Sequence, residues 1–153
     1  MTLLDVIRIM EKAAAQQPAV NMLVRNDIFR LNTYADAKYG VFAWTQQPHT
    51  GYPSGDLITY AFNIFYVDRL TEDRGNQVEV QSTGIEVLAN VIRTMQDAGC
   101  FPGSVTYTTF NQRFLDECAG VFANVSFEVP VGSVCPEEYA DFNADFNEDF
   151  LIL

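Results

Sequence analysis

Apolar residues occupy both alternating sets of positions in Leu57–Leu70, LITYAFNIFYVDRL. Ile58, Tyr60, Phe62, Ile64 and Tyr66 fall on one side of an extended chain, and Thr59, Ala61, Asn63, Phe65 and Val67 on the other. A strand that is apolar on both faces and free of Gly and Pro belongs in the middle of a sheet. Upstream, Thr2 and Asp5 form a helix-start pattern. Leu3, Leu4, Ile7, Met10 and Ala14 then recur at helical spacing, predicting an amphipathic helix that ends near Gln17, before Pro18. Alternation over Asp27–Asn32 predicts a short strand, and Tyr39–Thr45 a second, with Val41 and Ala43 facing one way and Phe42 and Trp44 the other. Trp44 in that setting reads as a core or interface residue rather than a ligand-stacking platform.

Gln46–Asp56 has two Pro, two Gly and no period, which predicts a long loop between strands, a usual place for contacts. Thr71–Asn76 is a charged turn, whose mixed signs read as a solvated turn or a subunit contact rather than a carboxylate site. Gln77–Ala98 is the main helix. Val78, Ile85, Leu88, Val91, Ile92 and Met95 form its expected buried stripe, Gly84 and Ala89 allow close approach, and Gly99 and Pro102 stop it. Ser104–Phe110 is a Thr-rich strand, Asn111–Ala119 a crossover, and Gly120–Pro130 the last strand. There Val121, Ala123, Val125, Phe127 and Val129 alternate with Phe122, Asn124, Ser126 and Glu128, so one face is wet or at an interface. The order predicts an α+β domain over residues 1–136: a mostly antiparallel sheet with two helices packed on it.

Residues 137–153 differ in character and form an acidic C-terminal arm. A four-residue repeat, Ala140-Asp-Phe-Asn, Ala144-Asp-Phe-Asn, Glu148-Asp-Phe-Leu, spaces Phe142, Phe146 and Phe150 evenly among acids. Three Phe and a closing Leu-Ile-Leu are unlike a solvating tail. The arm is expected to dock into an apolar groove, on a neighbouring subunit in preference to its own.

Charge sharpens this division. Residues 1–136 hold all nine Lys and Arg and 14 of the 20 acids, and the arm holds the other six acids. No basic cluster is present to neutralise phosphates, which argues against nucleic-acid binding. Cys100, Cys118 and Cys135 are odd in number and lack CxxC spacing, and His49 is the lone histidine, so no metal site and no cofactor are expected. Three free thiols suit a reducing cytoplasm. The Asn124-Val125-Ser126 sequon follows no signal-peptide pattern and is read as fortuitous, and no apolar run is long enough to cross a membrane as a helix. His49 has no nucleophile or orienting acid beside it in sequence, and reads as exposed and idle. Cys118 follows Asp116 and Glu117 and has no nearby cation to lower its pKa. No catalytic triad, phosphate-cradling loop, or Rossmann or Walker signature occurs, and no enzyme is expected.

The element order is similar to that of tail-terminator and tail-completion proteins of long-tailed bacteriophages. Lys38–Thr50, Ile58–Met95 and Thr109–Pro130 resemble, as extended strings, a virion protein of crAss-like gut bacteriophages, one of the neck and tail ring proteins. The resemblance spans about residues 1–139 and leaves out the Phe repeat. It implies a non-enzymatic homo-oligomer, a ring of six or twelve copies or more, made in the host cytoplasm and carried in the virion. The ring would bind other neck and tail proteins and let DNA pass without specific binding, with no membrane involved. Subunit contacts are then expected at His49 and Tyr52 of the long loop, and at Asp68, Arg69 and Arg74 around the charged turn. Asn124, Ser126 and Glu128 on the wet strand face and Phe142, Phe146 and Phe150 in the arm complete the expected set. The competing reading is a small-molecule-binding or regulatory α+β domain, with the aromatic sheet and the 46–56 loop forming a pocket.

Overall fold

The computed structural model describes residues 1–33, 37–113, 117–140 and 150–153. Two helices, α1 (Leu3–Ala15) and α2 (Gln77–Asp97), pack on one face of a mixed, mostly antiparallel sheet. Its strands are β1 (Met22–Arg25), β2 (Val41–Gln46), β3 (Thr50–Gly51), β4 (Leu57–Arg69), β5 (Phe101–Pro102), β6 (Thr106–Arg113), β7 (Glu117–Pro130) and β8 (Leu151–Ile152). The order across the sheet is β5-β7-β4-β2-β1-β8, with β3 also on β4 and β6 also on β7. The expected α+β class holds, and the stretch that is apolar on both sides is indeed central.

β4 and β7 form the seam of the molecule, an antiparallel ladder of 13 consecutive pairs from Leu57↔Pro130 to Arg69↔Cys118. The register puts the even positions of β4 opposite the odd positions of β7. Tyr60, Phe62, Ile64 and Tyr66 thereby share the helix-covered face with Val121, Ala123, Val125 and Phe127. Among the described residues, the other face is covered at one corner, where Met22, Val24, Val41, Ala43, Val67 and Cys118 lie beneath a 3-10 helix, Ile28–Thr33.

Several local expectations are corrected. The segment read as an alternating strand at Asp27–Asn32 is that 3-10 helix, preceded by β1; Ile28 and Leu31, three apart as a three-residue turn requires, are both buried. The 46–56 loop contributes β3, paired to Thr59 and Ile58. Asn111–Ala119 does not cross over: β6 and β7 form a hairpin from Thr106↔Asn124 to Arg113↔Glu117. On α2 the buried stripe is Val80, Gly84, Val87, Leu88, Val91, Ile92 and Met95, while Val78, Ile85 and Ala89 are exposed on the other flank. On α1 the stripe is likewise rotated: Val6, Ile9, Met10, Ala13 and Ala14 are buried and Leu4 is exposed.

The start of α1 is as the sequence indicates. The Asp5 N–H donates to Thr2 Oγ1 at 3.2 Å, and the Thr2 N–H donates to Asp5 Oδ2 at 2.8 Å, a reciprocal capping box. That backbone bond from Thr2 holds the Asp5 carboxyl below its ordinary range. Its contribution is therefore present above the unfolded carboxyl value and is lost as pH falls through the folded one. Thr2→Ala is expected to lower stability by about 1 kcal/mol at neutral pH, read by urea unfolding. The loss should shrink in acid, where Asp5 is protonated; an equal loss at both pH values would show that the box does not act through its carboxylate.

Candidate functional site

The open part of the sheet face, where no helix of the described residues lies, is the surface most available for function. β4 and β7 present Thr59, Ala61, Asn63 and Phe65 there, opposite Glu128, Ser126, Asn124 and Phe122. β6 adds Thr106, Thr108 and Phe110, opposite Asn124, Phe122 and Gly120. The result is graded. Next to the covered corner stand three half-buried rings, with Phe122 centred 5.6 Å from Phe65 and 6.2 Å from Phe110. Beyond them is a shallow concavity of about 460 Å³, lined among others by Gln47, Ala61, Asn63, Thr106, Asn124 and Ser126. Its lining carries amides and hydroxyls and no charge.

His49 and Tyr52, from the long loop, flank the start of β4. His49 is half-buried and structurally employed, which corrects the expectation of an idle ring. Its Nδ1 accepts the Ala61 N–H at 3.1 Å, and Nε2 lies 3.0 Å from Gln46 Oε1. With Nδ1 accepting from an amide, Nε2 carries the proton and donates to Gln46. The ring extends the ladder past β2, where the Gln47 N–H donates to the Ala61 carbonyl at 2.9 Å, and packs against Tyr60 and Phe62. His49→Ala leaves the Ala61 N–H without its acceptor and is expected to cost about 1–3 kcal/mol, measured by chemical denaturation. His49→Asn should recover part of that loss; equal loss in both variants would assign the effect to packing alone. Tyr52 is exposed.

Asp68, Arg69 and Arg74 lie at the far end of β4, about 30–40 Å from Tyr52 at strand rise per residue, so the two loop groups form no common site. The Tyr66 hydroxyl is 3.5 Å from Asp68 Oδ2, and the Arg69 N–H donates to Asp68 Oδ1 at 2.7 Å. Burial pushes both the Asp68 carboxyl and the Tyr66 phenol up, and for Tyr66 the neighbouring carboxylate adds to the effect. Arg69 stacks over the Tyr39 ring. Arg74 makes a two-pronged, exposed pair with Glu117 at 2.7 and 3.1 Å, tying the charged turn to the start of β7. Asn124, Ser126 and Glu128 sit on the open face as expected, with Asn124 and Glu128 exposed and Ser126 half-buried. Phe142 and Phe146 lie outside the described residues. Phe150 packs against the helix-side core, and Leu151–Ile152 pair with β1 within the single chain described.

Sequence reasoning missed Phe110, Phe122 and Phe65 as a group because only the strand register brings them together. No cluster of three or more His, Cys, Asp or Glu able to hold a metal occurs among the described residues. Burial pushes the Cys100 thiol up to about 11 and raises Cys135 as well, and Cys118 is buried. No helix among the described residues is long and apolar enough to cross a membrane. Neither a protein-family model nor a curated protein matches the chain.

Proposed function

We propose that the chain is a structural subunit that assembles with copies of itself into a closed ring. Its place would be the neck or tail of a crAss-like bacteriophage virion, around the channel through which DNA passes. The observation that supports this reading is the open sheet face. One face of the long, aromatic-rich β4–β7 seam is largely left uncovered by the described residues, and three Phe rings stand half-exposed beside uncharged amides. Such a surface, apolar at one end and grading into amides and hydroxyls, is composed like a protein–protein interface. Contact residues at opposite ends of β4 suit head-to-tail contacts, which close into rings when the rotation permits. The acidic excess would keep passing DNA from sticking, because like charge repels phosphates.

Light scattering coupled to negative-stain imaging tests it. Rings of one diameter are expected, lost in Phe122→Glu with little change in monomer stability. A monomer at all concentrations, or rings indifferent to that charge, would overturn the reading. The 460 Å³ concavity favours a second reading, a binding domain for a neutral polar small molecule. A ligand-dependent rise in Tm of a monomer would select it.

A further inference from the structure

The outer edge of β1 has the makings of a recognition site for a short apolar strand, and the chain's own residues 150–153, which fill it, show what fits. β8 lies parallel to β1, with Met22↔Leu151 and Leu23↔Ile152. The Leu153 N–H donates to the Leu23 carbonyl and the Arg25 N–H donates to the Leu153 carbonyl, both at 2.8 Å. Side chains alternate across the sheet: Phe150 and Ile152 pack on the helix-side core, and Leu151 and Leu153 on the corner beneath the 3-10 helix. Both apolar layers of the protein are thus completed at this edge by four consecutive residues. All four remain half-buried in the single chain.

We propose that this edge is an exchangeable seat, filled in the assembled protein by residues 150–153 of a second copy. The recognition is entirely local: backbone ladder plus alternating apolar side chains, the features of strand addition to a sheet edge. Nine residues, 141–149, separate the segment from Ala140. A segment joined to the rest of its chain through so few residues meets its own seat at an effective concentration on the order of millimolar. A copy held alongside supplies an identical segment at a comparable concentration, so the seat has no means of preferring its own. Strand exchange between identical seats is a low-cost route to assembly. Burying the outward parts of Phe150–Leu153 against a neighbour would then favour the exchanged form. The inference stands apart from the ring reading, since rings held by the open face alone would survive its failure.

Isotope mixing tests it. Unlabelled full-length protein carrying a photoreactive benzoylphenylalanine at position 151 is mixed with an equal amount of ¹⁵N protein and irradiated, and the adducts are mapped by mass spectrometry. Mixed-isotope adducts to Met22–Arg25 are expected. They should rise at least twofold when the ¹⁵N partner is stopped after Asp149, which leaves its seat open. A fluorescent Asp-Phe-Leu-Ile-Leu peptide should bind that stopped chain saturably and the full chain at least tenfold more weakly. Adducts confined to single copies even with the stopped chain in excess would overturn the proposal. So would mixed adducts mapping away from β1, or a peptide that binds neither chain.

Discussion

Tyr66→Ala is expected to destabilise the protein by about 3–5 kcal/mol, the range for emptying a large buried aromatic site. Tyr66→Phe should cost less than about 1 kcal/mol. The hydroxyl makes only long contacts, 3.4 Å to the Ala19 carbonyl and 3.5 Å to Asp68, while the ring is almost wholly buried. What singles out Tyr66 is the company of glycines. A Cβ on Gly84 would come within 2.5 Å of Val121 Cγ1 and 2.9 Å of Tyr66 Cδ1. One on Gly40 would meet the Tyr66 hydroxyl at 2.6 Å and strike the Ala19 carbonyl, and one on Gly120 would strike the Tyr66 carbonyl. Three elements approach this residue only because each lacks a side chain there. Gly84→Val should therefore also cost at least about 3 kcal/mol, at the upper end of overpacking, because neither β4 nor α2 can yield. Equilibrium urea unfolding of the three variants checks the ranking. A Tyr66→Phe loss as large as the alanine loss would put the energy in the hydroxyl rather than the ring.

The second large effect concerns a buried charge. Glu11 is 2% exposed, and Arg25 Nε reaches its two oxygens at 2.8 and 3.2 Å. Removing Arg25 leaves a carboxylate in the core, a change that costs about 3–5 kcal/mol when both partners are enclosed. The Arg25 side chain is 41% exposed and water screens part of the pair, so Arg25→Ala is expected to lose about 2–3 kcal/mol. Burial raises the Glu11 carboxyl above its ordinary value against the opposing pull of Arg25. The folded protein thus holds that proton more tightly than the unfolded chain. Glu11's contribution is fully present below the unfolded carboxyl value and is lost as pH rises through the folded one. In Arg25→Ala the pull is gone, so the loss on raising pH should be larger than in the parent. Adding Glu11→Gln should remove most of the difference. Unfolding curves from pH 4 to 8 read this, and an Arg25→Ala loss independent of pH would refute the assignment.

How much of this was legible depended on the distance between partners. β4 and β7 were readable because alternation is a local signal, and each reveals its own two faces. β1 was not: its Met-Leu-Val-Arg is buried on both sides and pairs in parallel with both neighbours, so it shows a short apolar run and no alternation. The neighbouring Ile28 to Leu31 stretch looked more like a strand and is a turn of 3-10 helix. The helices were found, and Leu88, Val91, Ile92 and Met95 on α2 and Met10 and Ala14 on α1 are buried as read, but Val78, Ile85 and Leu4 are apolar residues left outside the contact. Of the candidate site, the wet face of β7 was visible in sequence. The Phe65–Phe122–Phe110 group needed the register, and the role of His49 needed a backbone partner twelve residues away. Buried Lys12 was equally hidden: it donates to the Glu138 carbonyl and sits over the Tyr139 ring, which only the fold brings near.

The 13-pair seam between β4 and β7 has a mechanical corollary. Tension along the strand axis loads every rung of that ladder in shear at the same moment, so rupture requires them to fail together. A pull across the sheet would instead peel the two-residue β8 and β5 first. Resistance to force, set by the rate of forced unfolding rather than by equilibrium stability, is therefore directional. The protein is stiff lengthwise and yielding at its margins.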